Sequence, residues 1–390
     1  MRTVVTADRF LSPAANGKEE RVERPVVIIE DGHILSTASQ SSSSLPAGEH
    51  LHFEGCTLIP AFFDVHIHGS DGFDVMNATD ASLGGIGRFL ARHGVGSYFA
   101  TTVTAPVDST LKSLSGLAKR MRQETGGARA VGIHIEGPFL SPHKKGAHPA
   151  HLLQPPTVAL FDRMWQAAEG QIRLMTIAPE LPGALEVIAR AAGLGVRVSL
   201  GHSDARLEEA RQGVGAGAIT ATHTFNAMRA FDHREPGLIG EVLSNDALFA
   251  ELICDGLHVD PAAVEIFWKS KGRDRAMLIT DAMSATGKPD GNYKLGELDV
   301  RVKNGVCLIG ENTLAGSTLT LDRAVRNFTA FTGASLEEML PVTGRNPARM
   351  TGLEGEIGTL APGRRADITV LSAKNEVVET LVLGERCSKA

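Results

Sequence analysis

The stretch VGIHIEG (residues 131–137) is an apolar run that ends in a charged side chain, Glu136. Three similar runs carry histidine at or near their ends: FFDVHIH (62–68), VRVSLGH (196–202) and ITATHTF (219–225). A fifth run, AMLITD (276–281), ends in an acid. A parallel strand buried on both faces has such a continuous apolar sequence, and a catalytic barrel carries its functional groups where the strands end. The pattern therefore predicts an active site at the carboxyl ends of parallel strands.

The same alternation of apolar strand and helical segment repeats along the middle of the chain. Eight parallel strands alternating with helices are the signature of a (β/α)₈ barrel. A doubly wound open sheet is the alternative, but it binds its ligand at one switch point, whereas polar residues end nearly every strand here. We therefore predict an α/β fold with a TIM-like (β/α)₈ barrel. Its strands are expected at 57–66, 95–103, 131–136, 172–178, 196–202, 218–224, 249–255 and 275–281.

Short strand-like segments at both ends of the chain predict a second unit. VVTA (4–7) and VVIIEDGHIL (26–35) precede the barrel, and Asp31-Gly32 in the second segment is typical of a hairpin turn. Residues 355–383 return to short strands separated by glycine and proline. We expect a small β-sandwich domain built from residues 1–55 and 350–390, and a catalytic barrel over residues 56–349.

Composition excludes several classes of protein. The chain has 390 residues, 43% of them hydrophobic and 22% charged, and a net charge of −6, which gives no global reason to bind nucleic acid or an anionic membrane. Its four cysteines form no Cys-x-x-Cys pair, so neither a disulfide framework nor a thiolate zinc site is indicated. The first residues, MRTVVTADRF, lack the layout of a secretory signal, and no apolar stretch approaches the ~20 residues that span a bilayer. We expect a cytoplasmic protein.

Glu136, His202 and His223 are predicted to end three different strands, so a closed barrel would bring them together at one mouth. One carboxylate and two imidazoles with an open position form a catalytic zinc arrangement, and the same donors suit iron, cobalt or manganese. Such a metal can acidify water and polarise a carbonyl. The alternative is that the three are unrelated structural residues, which their matched positions disfavour.

Two further sites flank this group in the predicted barrel. His66 and His68 are two residues apart, so both side chains face the same side of a strand. They form a second metal subsite or support the pocket by hydrogen bonding. Asp281 ends the last strand and can take a proton from water and return it to the leaving nitrogen of an amide. Its alternative role is a helix N-cap.

With these residues in view, the chain resembles the amidohydrolase superfamily, and within it the family of N-acetylglucosamine-6-phosphate deacetylases. The resemblance implies a metal-centred barrel with a small β domain, usually dimeric, which removes acetate from a phosphorylated amino sugar. It assigns the metal to Glu136, His202 and His223 and proton transfer to Asp281. The segments that carry it are PAFFDVHIHG (60–69), HIEGPFLSPHKKGAH (134–148), GHSDA (201–205), THTFNAM (222–228), REPGL (234–238), DGLHVDP (255–261), LITDAMSATG (278–287) and LAGSTLTLDRA (314–324).

The resemblance also implies roles for residues that spacing alone does not single out. His148 would orient or polarise the acetyl carbonyl, with the backbone of Ala147 near the sugar. His258 would bind substrate, with the neighbouring subunit as one source of this residue, and Leu314 would contact the substrate. The phosphate would be bound by Asn226, Ala227 and Arg234, since the planar fork of arginine suits phosphate.

The metal content and the substrate have alternatives at this stage. Family members vary at the first strand, and because both His66 and His68 are present we expect a site able to accept one or two divalent ions, with zinc first and iron, cobalt, manganese or cadmium as alternatives. Glu136 stands where many relatives use a carboxylated lysine, which argues against a dihydroorotase or hydantoinase. Hydrolysis of another N-acyl compound, deamination of a heterocycle, and a non-catalytic barrel scaffold are the competing functions.

Overall fold

The computed structural model describes residues 2–13, 19–40 and 45–387, and it begins with a strand-rich segment. Its first strands are β1 (Arg2–Pro13), β2 (Glu19–Glu23), β3 (Pro25–Glu30), β4 (His33–Ser39) and β5 (Glu49–Pro60). Strands β3 and β4 form a hairpin whose two turn residues, Asp31 and Gly32, have φ values of 48° and 78°. A two-residue hairpin turn of type I′ requires positive φ at both positions. The predicted turn is therefore confirmed.

The barrel begins at β6 (Phe62–Ile67), which is followed by a short hairpin of β7 (Gly69–Ser70) and β8 (Phe73–Asp74). The remaining barrel strands form parallel ladders in chain order, and nearly all of their residues are buried. This eight-stranded parallel arrangement confirms the predicted barrel. The seven strands that complete the barrel with β6 are β9 (Val95–Thr102), β10 (Arg129–Glu136), β11 (Ile172–Ile177), β12 (Arg197–Leu200), β13 (Ala218–Ala221), β14 (Phe249–Ile253) and β15 (Ala276–Ile279).

The first and last barrel strands, β6 and β15, meet at their carboxyl ends. The backbone N–H of Asp281 donates to the carbonyl oxygen of His66 at 2.9 Å, and the N–H of His68 donates to the carbonyl oxygen of Ala282 at 2.8 Å. Deeper in the barrel, the hydroxyl of Thr280 donates to the carboxylate of Asp64 at 2.6 Å, and both side chains are fully buried. These contacts close the barrel beside three of the predicted site residues.

Helices cover the outside of the barrel and bury an apolar stripe against it. Helix α1 begins with a capping box between Thr79 and Ser82, and its Leu83, Ile86 and Leu90 join the main hydrophobic core. The helices are α1 (Asp80–Arg92), α2 (Val107–Ala118), α3 (Val158–Ala167), α4 (Ala184–Gly193), α5 (Leu207–Gly215), α6 (Gly237–Ser244), α7 (Pro261–Arg275), α8 (Leu321–Thr332), α9 (Leu336–Leu340) and α10 (Asn346–Thr351). Among the described residues, no helix has the length and apolarity needed to cross a membrane.

A small antiparallel sheet lies between the last barrel strand and α8. It consists of β16 (Gly291–Leu295), β17 (Leu298–Lys303), β18 (Val306–Ile309) and β19 (Thr313–Leu314). Its inner residues form a core of their own with Val103 and Met283, which lie beside the barrel mouth. The sheet therefore supplies one wall of the mouth.

Strands from both ends of the chain join one eight-stranded sheet, in which β20 (Ile368–Leu371), β21 (Val377–Val382) and β22 (Glu385–Arg386) continue from β5. This agrees with the predicted fold class. The prediction of one strand over 57–66 is wrong in its first half, because β5 extends to Pro60 and pairs with β1 and β20. One apolar run serves two sheets, and the N–H of Ala61, which donates to the carbonyl oxygen of Asp367, marks the change.

Candidate metal centre and active site

The predicted site residues lie at the carboxyl ends of the barrel strands. Glu136 is the last residue of β10, and His202, His223 and Asp281 each follow their strand by two residues. The φ values of these last three residues are 46°, 28° and 50°. A non-glycine residue in this left-handed region costs about 1–3 kcal/mol, and such residues cluster at functional sites. The backbone is therefore held in an unfavourable conformation where the side chains turn toward the mouth.

Three ligand atoms converge in a first group. The Nε2 atoms of His202 and His223 lie 3.0 Å apart, and each lies 3.2 Å from Oε1 of Glu136. Two nitrogens bound to one tetrahedral zinc at about 2.0–2.1 Å stand about 3.4 Å apart. The spacing of the three atoms therefore fits a single cation, and their nitrogen and oxygen chemistry suits a divalent metal.

A second group adjoins the first through the Glu136 carboxylate. His68 Nε2 lies 3.3 Å from His66 Nε2 and 3.2 Å from Asp281 Oδ1. The two oxygens of Glu136 face different groups, since Oε1 faces His202 and His223 while Oε2 lies 3.1 Å from His68 Nε2. His66, His68 and Asp281 together form a compact set of potential ligands. The donor set thus fits two neighbouring cations joined by one carboxylate.

The outer nitrogens of three histidines are held by hydrogen-bond acceptors. Nδ1 of His202 donates to the carbonyl oxygen of Lys144 at 2.9 Å, Nδ1 of His68 donates to the carbonyl oxygen of Thr101 at 3.2 Å, and Nδ1 of His66 faces the carboxylate of Glu251 at 3.2 Å. An acceptor at Nδ1 places the proton there and leaves the lone pair on Nε2 for a metal. Each of these imidazoles is therefore oriented as a ligand.

The buried carboxylates of these two groups favour a bound positive charge. Burial lowers the pKa of His66, but the carboxylates of Glu136 and Asp281 outweigh it and raise the pKa well above its ordinary value. Burial opposes the same two carboxylates at His68, whose pKa rises to about 9. The cavity thus attracts a cation, which a proton or a metal ion can supply. Together with the convergence of the donor atoms, this charge makes the two groups a candidate divalent metal site.

The two groups together, Glu136, His202, His223, His66, His68 and Asp281, are called the metal cluster below. His148 lies beside this cluster and has a defined orientation. Its Nδ1 lies 2.8 Å from the Thr104 hydroxyl, and the backbone N–H of Thr104 donates to the same nitrogen at 3.4 Å. Nδ1 is then an acceptor, so the proton belongs on Nε2, which lies 3.5 Å from Oε2 of Glu136. Burial lowers the pKa of His148 to about 4, so the ring is neutral near pH 7. A neutral ring with Nε2–H can donate a hydrogen bond into the cavity.

A cavity of about 370 Å³ opens above the cluster, within the range of small-molecule sites. The structure places most residues of the predicted substrate site on its wall, and His258 of the same chain is among them. Arg234 is different, because it is exposed and does not line the cavity within one chain. His66 lies fully buried behind His68. The predicted residues on the wall are Ala147, His148, Asn226, Ala227, His258 and Leu314, together with the potential ligands His68, Glu136, His202, His223 and Asp281.

Three residues near the site escaped the sequence analysis. Glu251 is the only charged residue in the apolar strand FAELI, and Asp64 interrupts FFDVHIH in the same way. A charge inside a run that is buried on both faces needs a partner, and this signal could have identified both. Thr104 carries no such signal, because threonine is common near strand ends. His143 also lines the cavity.

Comparisons with known proteins point to one family. The profile of the Amidohydrolase family matches residues 57–387. An N-acetylgalactosamine-6-phosphate deacetylase of Escherichia coli O157:H7 is 39% identical over 85% of this chain and 88% of its own. An N-acetylglucosamine-6-phosphate deacetylase of Vibrio furnissii is 36% identical over 95% of this chain and 92% of its own. A solved structure of a mutant N-acetyl-D-glucosamine-6-phosphate deacetylase from Mycobacterium smegmatis, in complex with N-acetyl-D-glucosamine-6-phosphate, matches with a TM-score of 0.91 and 35% identity over all of both chains.

Proposed function

Because the chain belongs to the amidohydrolase family, we propose that it is a metal-dependent deacetylase of amino sugar catabolism. The reaction is hydrolysis of the acetamide of N-acetylglucosamine 6-phosphate to glucosamine 6-phosphate and acetate. The observation that carries the proposal is the convergence of Glu136, His202 and His223 within 3.2 Å of one another, beside Asp281 and beneath a cavity of about 370 Å³. Relatives with 36–39% identity that bear deacetylase names support the choice of reaction.

Glu136, His202 and His223, whose donor atoms converge, would hold the primary ion, and His66 and His68 would hold a second one with Asp281. A bound divalent cation supplies a Lewis acid that acidifies water and polarises a carbonyl. We propose zinc, because one carboxylate and two imidazoles with an open position are its catalytic donor set. Iron, cobalt, manganese and cadmium are the alternatives, since these ions accept the same nitrogen and oxygen donors.

Asp281 would move the proton in both halves of the reaction. Its carboxylate is only slightly exposed and faces the cavity next to His68. Burial would raise its pKa, but His66 and His68 outweigh burial and lower the pKa to about 2, so the group enters the reaction as a carboxylate. Asp281 would take a proton from the attacking water and return it to the amine nitrogen as the C–N bond breaks. One group then serves as base and afterwards as acid.

His148 would stabilise charge on the acetyl oxygen. Thr104 holds its Nδ1 as an acceptor, which leaves Nε2–H as the group that faces the cavity. A fixed donor aimed at the oxygen where negative charge develops is commonly worth about 2.7–4 kcal/mol of barrier. His148 would therefore contribute orientation of the acetyl group and stabilisation of the oxyanion, while Ala147 and Leu314 contact the sugar.

We propose that the phosphate binds at the end of the cavity formed by Asn226, Ala227 and His258. Arg234 would complete this subsite from a second copy of the chain, because it is exposed and does not line its own cavity. Exposed Phe231 and Leu257, at 58% and 55% of their surface, lie in the same loops as Arg234 and His258. Burial of these side chains between two copies would favour a homodimer at the mouth.

The sugar epimer defines a second candidate. The relative from Escherichia coli O157:H7 acts, by its name, on N-acetylgalactosamine 6-phosphate, and it is 39% identical to this chain. The two sugars differ at one hydroxyl, whereas the acetamide and the phosphate are the same. The metal centre, Asp281 and His148 would serve either substrate equally. The choice between the epimers therefore depends on residues at the wall of the cavity.

The decisive assay measures acetate release by zinc-loaded protein from four compounds. These are N-acetylglucosamine 6-phosphate, its galactose epimer, and the two sugars without phosphate. We expect turnover of at least one phosphorylated sugar, with a kcat/KM well above that of the unphosphorylated form. Ammonia release from a heterocycle without acetate release from any sugar would reject the deacetylase. Equal rates with and without phosphate would reject only the phosphate subsite.

Two broader proposals accompany this function. We propose that residues 1–55 with 350–390 form the small β domain and residues 56–349 the catalytic barrel, although β5 (Glu49–Pro60) crosses the first boundary. We also propose a cytoplasmic location, which the free state of all four cysteines supports because cytosolic thiols stay reduced.

A further inference from the structure

Glu251 is a charged residue in the middle of a barrel strand. It lies in β14 (Phe249–Ile253), whose residues are all buried, and its own side chain has no exposed surface. A buried carboxylate without partners is strongly unfavourable. Oε2 of Glu251 has two partners, the Nδ1 of His66 at 3.2 Å and the backbone N–H of His223 at 3.4 Å. Both partners belong to residues of the metal cluster.

The contact with Glu251 determines which nitrogen of His66 faces the cluster. Since a carboxylate accepts the Nδ1–H, the lone pair of His66 lies on Nε2. That Nε2 is 3.3 Å from Nε2 of His68 and 3.5 Å from Oδ1 of Asp281. The orientation of His66 as a ligand of the second group therefore depends on Glu251.

The partner of His66 differs in charge from the partners of the other oriented histidines. His68 and His202 donate to backbone carbonyls, which are neutral. An anionic partner makes an imidazole more basic and a better ligand. Glu251 also adds a negative charge beneath the cluster. Two divalent ions carry a total charge of +4, whereas the carboxylates of Glu136 and Asp281 supply only −2. A third carboxylate reduces the repulsion that a second ion meets beside the first.

We propose that Glu251 is a positioning residue that orients His66 and enables the centre to bind its second divalent cation. The inference rests on the metal roles in the proposed function and adds a requirement that those roles do not contain. A purely structural role is the rival, because Glu251 also ties β14 to β6 inside the barrel. The two roles differ in what they predict for the number of ions bound.

The test compares ion binding by the wild-type chain, Glu251→Gln and a control variant, Glu241→Gln. Glutamine keeps the size and an acceptor oxygen but removes the charge. Glu241 is a buried carboxylate outside the cluster, on α6, where it accepts from Arg211 and Asn245. Each protein is stripped with a chelator and titrated with Zn²⁺, the bound ions per chain are counted, and the two affinities are measured calorimetrically.

We expect two ions per chain in the wild type and in Glu241→Gln. Glu251→Gln should bind the first ion with unchanged affinity and the second about 10–100-fold more weakly, the usual effect of losing a ligand's outer partner. Wild-type affinity for both ions in Glu251→Gln would overturn the proposal, and so would equal weakening of both ions or binding of a single ion by the wild type. A merely structural role would lower the thermal midpoint of the metal-free protein without changing the ratio of the two affinities.

A second variant keeps the test valid if Glu251→Gln fails to fold. Glu251→Asp retains the charge but withdraws the carboxylate from His66 by one methylene, so the second affinity should again fall while the first is kept. Unchanged affinity for both ions in this variant would also overturn the proposal. Acetate release is measured separately on the wild type, and its absence rejects the deacetylase while leaving the ion count to decide the role of Glu251.

Discussion

Asp64 should make the stability of the protein depend on pH. It lies at the barrel seam, the contact between the first and last barrel strands, β6 and β15. The side chain is fully buried, and it accepts from the Thr280 hydroxyl at 2.6 Å and from the backbone N–H groups of Thr280 and His66 at 3.3 and 3.2 Å. Burial raises its pKa, the three hydrogen bonds offset this only partly, and the result is a pKa of about 6 instead of 3.8. Ionisation of Asp64 above pH 6 therefore weakens the fold.

The size and sign of the effect follow from linkage between folding and ionisation. The interval from 3.8 to about 6, at about 1.4 kcal/mol per pH unit, corresponds to about 3 kcal/mol. Because the pKa is raised in the folded state, the stabilisation is complete below pH 3.8 and is lost as the pH rises through about 6. Asp64→Asn has the same shape, can accept both N–H groups and cannot ionise. Its stability relative to the wild type should therefore improve by about 2.5 kcal/mol between pH 4 and pH 8, because part of the loss has already occurred at pH 4.

Urea unfolding at pH values from 4 to 8, on both proteins after removal of metal, measures this difference. The other titrating groups are common to both proteins and cancel in the comparison. The control is Asp322→Asn: burial would raise the pKa of Asp322, but hydrogen bonds from His93 and Arg326 hold it well below its ordinary value. Asp322→Asn should therefore destabilise at pH 8 and show no gain with pH. A stability difference for Asp64→Asn that stays constant from pH 4 to pH 8 would refute the reasoning.

The remaining predictions concern catalysis and substrate binding. Asp281→Asn should keep the ion held by Glu136 and lose about 10²–10⁴-fold in kcat for acetate release; near-wild-type turnover would remove Asp281 from proton transfer. Arg234→Ala should raise KM for the phosphorylated sugar far more than for the unphosphorylated one, and an equal loss on both would reject its phosphate role. Thr104→Val removes the hydroxyl 2.8 Å from His148 Nδ1 and should lower kcat about 10-fold with little change in KM, whereas Thr104→Ser should restore it; a Thr104→Val enzyme with unchanged kcat would show that the hydroxyl does not orient the ring.

The sequence predicted the barrel well because each barrel strand is buried on both faces. A run such as VGSYFATT (95–102), buried at every residue, contrasts with the polar segments around it, so its bounds are visible without a structure. The same reasoning failed at 57–60, where an apolar run continues from one sheet into another. Apolarity indicates that a strand is buried but not which sheet it joins, since pairing with β20 depends on residues some 300 positions away.

The residues that converge at the barrel mouth could be predicted, whereas the contacts that their supporting residues make could not. Glu136, His202 and His223 are chemically distinctive residues at strand ends, and the geometry of a barrel brings strand ends together. Glu251 and His66 are 185 residues apart, and only the closed barrel shows that they touch. The positive φ values of His202 and His223 could not be predicted from the sequence, for a different reason. Strain of this kind is imposed by the surrounding fold, so the local sequence does not reveal it.

The second group of ligands lies on the seam where the barrel closes, and this couples ion binding to folding. His66 lies in β6, His68 follows that strand and Asp281 follows β15. The N–H of Asp281 donates to the carbonyl oxygen of His66, and the N–H of His68 donates to that of Ala282, which joins the two strand ends. An ion bound by all three would connect the ends of the sheet in the folded state, whereas the unfolded chain leaves them more than 200 positions apart. Ligand at 100 times its Kd stabilises a fold by about 2.7 kcal/mol when the unfolded chain does not bind it. Asp64 joins the same two strands deeper in the barrel, so its ionisation and an ion bound by His66, His68 and Asp281 would both act on the contact between β6 and β15.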